Sequence, residues 1–497
     1  MKKTIHILIF ALLLNSCSGF LDEDNKAGIS NNDLYSTPEG YQTLRVNAYS
    51  SLRTIYREAP LVLLAGTDLY QMPRGMTENG VYDYVRLYDT NGDVSTFYTN
   101  CYNVLQQVNT AENYLEIAEI SDSEKSLYQS EYDFMKGFLH FLLIEQFGGI
   151  VINDEYTQSP RMEMPRATLE ASYDYVITKL ENALAGPLPQ TETDGQICKD
   201  IVNHYLAKVH LTRGWDLDNE SDFSKAKQYA SSVIASRGDL KYSMEELWAP
   251  SNDNNDEVIF AIQYDSKSMT STTNGNNQEA VFGPYLGGSE RNHKYMSGDL
   301  YPSWALHSWF TENDARYEAT FMLSIWEYYY DYYQGRNIPG ENSITAIYPR
   351  AWDRSEEMFN DYISLTGGTS NGQFIDVTMT DDNNNLVAGA KEFLQKWCPE
   401  YATVVPKNAV NQNGGNYLRI YPFIEHLDLQ IENENYWRTG FNNDFSQPGI
   451  KKFDLGQLVV FSTTQSYRDI VLASLSETML LYAEACIGEG NYTEAQT

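Results

Sequence analysis

From residue 95 to residue 237 the chain repeats one design, apolar residues at helical spacing closed by a glycine, and that pattern dictates packed helices. Residues 95–120 set Tyr98, Tyr102, Leu105, Val108, Ala111 and Leu115 on one face. Residues 122–147 open with an acidic first turn and end at Gly148-Gly149. Residues 168–184 stop at Gly186-Pro187, and 200–213 and 223–237 are each followed by a glycine stop. An earlier helix is expected to start at Thr37-Pro38-Glu39, with proline in its first turn and Tyr41, Leu44, Ala48, Leu52 and Ile55 on one side. Residues 60–93 show Gly, Pro and Asn punctuation with little helical periodicity. They read as a long loop, of a length that in a compact body is usually functional or disordered.

Two segments share a finer signature. Leu206-Ala207 leads through Gly214 to an acidic turn and then to Asp222-Phe223 and Ala226; Tyr482-Ala483 and Ala485 lead through Gly488 and Gly490 to Asn491-Tyr492 and Ala495. Small residues let two antiparallel helices approach, glycine turns the chain, and an aromatic followed by alanine starts the return, as in a tetratricopeptide-type hairpin. The expected fold is therefore mainly α, a tetratricopeptide-like helical scaffold whose last piece comes from the C-terminus. Residues 240–460, rich in Asn, Asp and Gly with short apolar runs such as 258–262, read as a loop-rich inserted subdomain. The expected division is 38–239 helical, with a binding loop at 60–93, then 240–460 irregular, then 461–497 helical and ending at Thr497 within a return helix.

The N-terminus carries a different message. Met1-Lys2-Lys3 precedes an apolar run from residue 5 to 14, then Asn15-Ser16-Cys17. A basic start, a short apolar core and a small residue before the cut make a secretory signal over residues 1–16. The run is too short to span a bilayer, which takes about 20 apolar residues. Leu14-Asn15-Ser16-Cys17 also has the form of a lipobox, which would make Cys17 the lipidated first residue of an acidic tether over 17–37. Several acyl chains hold a protein on a membrane where one does so only marginally.

The formal charge of −33 becomes −33 − 2 = −35 once Lys2 and Lys3 leave with the signal, and such a field repels nucleic acid. Cys101, Cys198, Cys398 and Cys486 are widely spaced, with no Cys-x-x-Cys pair, and read as isolated buried thiols. Tyrosine is the compositional outlier. With 38 Tyr, 8 Trp and 20 Phe, the chain has more polar-tipped rings than a core needs, as a wet, ring-stacking surface would.

The ordered segments resemble those of the SusD/RagB family of Bacteroidetes outer-membrane glycan-binding lipoproteins. They are Cys17-Ser18-Gly19-Phe20-Leu21-Asp22-Glu23, Thr37-Pro38-Glu39-Gly40-Tyr41, Phe141-Leu142-Leu143-Ile144-Glu145-Gln146-Phe147-Gly148-Gly149, Pro165-Arg166-Ala167-Thr168, Asp256-Glu257-Val258-Ile259-Phe260, and Glu477 through Tyr482-Ala483-Glu484-Ala485. One departure is Leu472-Ala473-Ser474, where the family often has an arginine just upstream of the C-terminal helix; another is the family's terminal Asn-x-x-Arg-x-Arg-Ala segment, absent here. The resemblance implies a non-catalytic, cofactor-free protein that binds an oligosaccharide or polysaccharide. It would lie as a lid on a TonB-dependent, SusC-like outer-membrane transporter, lipid-anchored and exposed at the cell surface, and Asp22-Glu23-Asp24 fits the acidic signals that export such lipoproteins.

A glycan offers C–H faces and hydroxyl edges, so its binder needs aromatic platforms flanked by hydrogen-bonding groups. Three regions combine them: 66–89, with Arg74, Tyr82 and Tyr84; 291–309, with Tyr295 and Trp304; and 326–333, with Trp326 and Tyr329. Core packing is the alternative role for any of these rings. Two acidic clusters invite a metal reading. In Asp381-Asp382-Asn383-Asn384-Asn385, Leu386 stands where a calcium loop needs glycine, so a solvated turn is expected, and likewise at 251–257. No zincin, nucleophile-elbow or phosphate-loop motif occurs, and His204 and His210 are spaced to face apart on a helix. A secreted glycoside hydrolase, which needs only two placed carboxylates, and a purely structural helical-repeat lipoprotein are the competing readings.

Overall fold

The computed structural model describes residues 30–71, 79–192, 194–266, 274–283, 298–326, 344–353, 355–366, 388–402, 419–420, 448–455 and 465–496. Cys17 and the signal segment lie outside them. The longer helices are α1 (Pro38–Ser51), α2 (Gly92–Leu115), α3 (Asp122–Phe147), α4 (Leu169–Ala185), α5 (Lys199–Asp216), α6 (Glu220–Arg237), α7 (Glu356–Thr366), α8 (Ala388–Trp397) and α9 (Leu475–Gly488). The strands are β1 (Tyr70–Gln71), β2 (Val258–Ile262), β3 (Tyr301–Pro302), β4 (Ser324–Trp326), β5 (Ile344–Ile347), β6 (Arg419–Ile420) and β7 (Ile470–Ser474).

Helices α1 to α6 pack each against the next in chain order. The Thr37 hydroxyl accepts from Gly40 N at 3.1 Å and starts α1, which buries Tyr41, Leu44 and Ala48. The Tyr41 and Tyr132 hydroxyls meet at 2.8 Å, and Tyr41 also donates to Ala111 O at 3.0 Å, tying α1, α2 and α3 together inside the core. A capping box of Ser121 and Glu124 opens α3, and Gly148, at φ 69°, closes it. Arg166 then donates to the Gly149 and Phe147 carbonyls, satisfying the end of that helix.

Two expectations need correction. Helix α2 starts at Gly92 on an Asn91 cap, and its buried face runs through Phe97, Cys101, Val104, Leu105, Val108, Ala111 and Leu115. Tyr98 and Tyr102 therefore flank that face, and the Tyr102 hydroxyl donates to Val151 O at 2.8 Å. Gly214 stops nothing, because α5 continues through it to Asp216. Its role is close approach: a Cβ there would sit 2.7 Å from Phe223 Cε1, and so would one on Gly488. The two hairpins with the shared signature thus stack side by side, clasping the Phe223 ring between their glycines. Further ties are Lys208 to Glu477 at 2.7 Å, His204 to Thr478 at 2.8 Å, and Trp215 Nε1 to Glu484 at 2.9 Å.

Strand β2 pairs antiparallel with β7, from Val258↔Ser474 to Ile262↔Ile470, so the chain leaves and re-enters the scaffold through one small sheet. Arg468 locks this doorway. It is nearly fully buried, bonds Asp253 through Nη2 at 2.6 Å and Nε at 3.0 Å, and donates Nη1 to the Lys452 and Asp454 carbonyls. Leu472-Ala473-Ser474 holds no arginine, and the buried arginine at this doorway is Arg468, two residues before β7. Between the two strands the described elements are short, β4–β5–β6 forming one small sheet and α7 and α8 closing over Met358, Phe393 and Leu394. The architecture is mainly α, tetratricopeptide-like hairpins carrying a loop-rich insertion.

A candidate ligand cleft

Residues 60–93 are less irregular than their composition suggests. They contain the short helices Leu61–Leu64 and Gly80–Asp83 and strand β1. Strand β1 pairs antiparallel with β3, Tyr70↔Pro302 and Gln71↔Tyr301. Next to this ladder Ser303 N donates to Leu69 O at 2.8 Å and the Ser303 hydroxyl donates to the Asp68 carbonyl. The Tyr82 hydroxyl donates to Asp299 O at 2.7 Å. Two of the three aromatic regions are thereby brought to one place. Beneath them Val81, Phe282, Leu300, Tyr317, Phe321 and Leu323 form a satellite core, and Leu323 leads directly into β4.

The roles of the individual rings divide. Tyr82 packs inward on that core; burial first, then the Asp299 and Asp93 carboxylates, push its phenol well above the usual range. Tyr84 is 63% exposed and sits at φ 60°, a left-handed conformation rare for a bulky residue. Its hydroxyl donates to Gly66 O at 2.8 Å. Gly66 is itself left-handed at φ 71°, and a Cβ on it would lie 2.5 Å from Val81 O and 2.6 Å from Tyr84 Oη. Tyr88 and Trp309 present exposed rings on the same loops. Trp304 lies in the short helix Trp304–Ser308 and Trp326 in β4, each placed by its backbone alone. Arg74, Tyr295 and Tyr329 fall outside the described residues.

A cleft of about 390 Å³ opens between the end of the first helical segment, the start of α2, and residues 281 and 299. Ile55, Phe97 and Val281 line it with apolar surface, while Thr54, Glu58, Asp93, Thr96, Asn100 and Asp299 supply polar groups. The capping of α2 organises this wall. The Asn91 side chain accepts from Asp93 N and Val94 N, Asn91 Nδ2 donates to Asn79 Oδ1 at 3.0 Å, and Asn79 Nδ2 donates to Asp93 Oδ2 at 2.7 Å. Sequence reasoning missed Thr54, Glu58, Asp93 and Asn100 as lining residues, since it searched for rings in loops; the Asn91-Gly92-Asp93 helix start was the available signal.

A second cleft of about 490 Å³ lies in the insertion, lined by Phe321, Met322, Tyr401 and Lys451 among others. Its Glu318 and Glu400 are both engaged by Arg350 at 2.7 Å. The acidic cluster at 251–257 serves the fold: Asp253 holds Arg468, the Asn255 side chain accepts from Glu257 N and Val258 N, and Asp256 accepts from the Tyr242 hydroxyl at 2.7 Å. Asp381 to Asn385 lie outside the described residues. Among the described residues no group of His, Cys, Asp and Glu is arranged to hold a metal ion. His204 and His210 face different neighbours, Thr478 and Asp222, and Cys101, Cys198, Cys398 and Cys486 are free and buried.

A SusD-like family model, described as starch-binding and associating with the outer membrane, matches residues 71–200. No curated protein matches the sequence. Among solved structures, a SusD superfamily protein from Parabacteroides distasonis is similar at 17% identity and a TM-score of 0.61, over 92% of this chain and 78% of that one. A laminarin-binding SusD-like protein is similar at 14% identity and a TM-score of 0.55, over 93% and 83% of the two chains. Surface glycan-binding protein A from Bacteroides thetaiotaomicron, in complex with laminarihexaose, is similar at 14% identity and a TM-score of 0.55, over 91% and 79%. The SusD-like pattern thus covers part of the helical scaffold, and the fold of the SusD superfamily structures extends over nearly the whole chain.

Proposed function

We propose that the protein is a non-catalytic glycan-binding lipoprotein, anchored through Cys17 in the outer membrane at the cell surface, which hands oligosaccharide to a TonB-dependent, SusC-like transporter. One observation carries the binding reading. Two loop regions rich in rings and polar groups, far apart in sequence, converge beside a cleft with an apolar floor and a polar rim. An apolar surface ringed by a few placed hydrogen-bonding groups suits a sugar, and exposed Tyr84, Tyr88 and Trp309 are available as stacking platforms. Laminarihexaose bound to one similar structure and a xylogluco-oligosaccharide bound to another support the same ligand class here. The division into helical parts at 38–239 and 461–497 and a ligand-bearing insertion at 240–460 belongs to this reading, with the binding loop at 60–93.

In the second cleft Glu318 and Glu400 share one arginine, so that pair is not set across a scissile bond as a glycosidase sets its acid and base or nucleophile.

Affinity electrophoresis of the protein through gels containing laminarin, xyloglucan or starch tests the proposal. Retardation without released reducing ends is expected; release of reducing sugar would move the protein to the hydrolases. Retention by no glycan would favour a structural lipoprotein. Cys17→Ala should shift the protein from the membrane to the soluble fraction, and unchanged membrane retention would refute the anchor.

A further inference from the structure

A glycine of the cleft wall answers no demand of the fold. Gly92 lines the cleft at the start of α2. Other glycines have a structural reason: at Gly40, Gly80 and Gly214 an added Cβ would lie within 3.0 Å of a neighbour, and Gly66, Gly148 and Gly238 stand at positive φ. Gly92 shows neither feature. Its φ is not positive, and a Cβ built on it meets nothing within 4 Å. Glycine is also a poor helix former, so almost any other residue would suit this position better on helical grounds alone. We infer, resting on the glycan-binding reading above, that Gly92 is a ligand contact, the point at which a sugar ring lies against the bare backbone of α2.

The residues around it fit that role. Gly92, Thr96 and Asn100 all line the cleft and recur at four-residue spacing, so they form one row on a helix face, about 12 Å from end to end. Asn100 closes the far end, its Nδ2 donating to Thr54 O at 3.2 Å. Phe97, 2% exposed, supplies apolar floor beside the row. A ligand approaches backbone closely only where a side chain is missing, and glycine is the residue that permits it. A ring seated there brings its hydroxyls toward the exposed Thr96 and the Asp93 side chain. A side chain at position 92 would hold the ring off, and hydrogen bonds do not survive much stretching beyond about 3.2 Å.

The test uses the full-length protein and whichever of laminarin, xyloglucan and starch the parent retains. Gly92→Ala and Gly92→Leu are compared with Ser95→Leu, a control at an exposed position of the same helix outside the cleft lining. Calorimetric titration reads binding and thermal melting reads the fold. With nothing within 4 Å of the added Cβ, Gly92→Ala should melt no lower than the parent. Binding should weaken a few-fold in Gly92→Ala and at least about tenfold in Gly92→Leu, the scale of forcing a side chain into filled space. Ser95→Leu should bind like the parent. Gly92→Leu binding within about twofold of the parent overturns the inference and leaves the glycan reading standing. A lowered melting temperature in Gly92→Ala also overturns it, since residue 92 would then be a demand of the fold. Equal loss in Ser95→Leu does the same, the cause being general crowding of the helix. A parent that binds none of these polymers overturns the glycan reading itself, and the Gly92 contact with it.

Discussion

Gly66→Ala puts the candidate cleft under the most direct strain. At φ 71° an alanine would occupy a left-handed conformation, which costs an L residue about 1–2 kcal/mol. Its Cβ would also lie 2.5 Å from the Val81 carbonyl, a backbone atom held by the short helix at 80–83, and 2.6 Å from Tyr84 Oη. Together these amount to about 2 kcal/mol against the closed loop, a factor of about 30. The loop is exposed at Tyr84, Val85 and Tyr88, outside the main helical core, and a segment of that kind opens locally with little reserve. If the closed loop is the form that binds, the apparent dissociation constant rises by up to about 30-fold, while the main thermal transition stays within a degree or two. Calorimetric titration with whichever glycan the parent protein retains reads the first quantity, and circular dichroism the second. Tyr84→Phe, which loses one hydroxyl bond to Gly66 O, should weaken binding about fivefold, equivalent to about 1 kcal/mol. A Gly66→Ala protein that binds like the parent would refute the reasoning, for it would mean the Gly66–Tyr84 clasp is not part of the site.

Gly488→Ala should lower stability by about 1–2 kcal/mol, the strain of pushing on Phe223 exceeding the helix preference gained, and Phe223→Leu in the same chain should recover part of it; a stabilised single variant would disprove the clasp. Arg468→Met leaves Asp253 and two carbonyls unpaired at the β2–β7 doorway and should cost about 3 kcal/mol in urea unfolding, with a near-neutral result arguing that the pair is idle. Burial holds His140 and His204 neutral, each with its pKa lowered to about 4; the Glu477 carboxylate 3.5 Å from His204 does not outweigh that burial. Unfolded histidine takes up a proton near pH 6.5, so the unfolded state binds more protons between pH 6.5 and 4. Their contribution is thus fully present above pH 6.5 and falls as pH drops through that window, by about 3 kcal/mol per histidine. The melting temperature should decline from pH 7 to 5 less steeply in His204→Gln than in the parent, and parallel curves would refute the assignment.

Legibility in the sequence followed the physics of each part. Helix α3 was readable to its last residue because acidic N-terminal and glycine C-terminal signals bracket a long periodic run. The stacking of the hairpins was readable as a shared pattern but not as a contact, since nothing local says that Gly214 and Gly488 grip the same ring. The loop at 66–89 was readable as ring-rich, yet which ring faces solvent turns on backbone geometry: Tyr82 and Tyr84, two residues apart, part company because one packs on Phe321's cluster and the other is thrown outward by a positive φ. The cleft wall was missed because Asn100 belongs to a helix that periodicity assigns to the core, and Asp93, read as the last residue of a loop, stands in the first turn of that helix.

The segments that carry the resemblance to the SusD/RagB family are, in the structure, the glue of the scaffold. Tyr41 bonds Tyr132 in the interior, Arg166 caps the end of α3, Glu257 accepts from Leu475 N through its carbonyl, and Glu477 ties α9 to α5. None of these residues lines the candidate cleft. A fold-defining contact must be satisfied whatever the ligand, so its residues carry the legible pattern. The candidate cleft draws instead on polar residues such as Thr54, Glu58 and Asp93, at or beside the ends of helical segments. On the proposed function, ligand choice then falls to residues other than those that pack the long helices against one another. It follows that exchanging the loop segments 66–91 and 298–310 together between two proteins of this architecture should transfer glycan preference with little change in melting temperature. Exchanging either alone should destroy binding, because β1 pairs with β3 and Tyr82 reaches Asp299 only when both belong to one design.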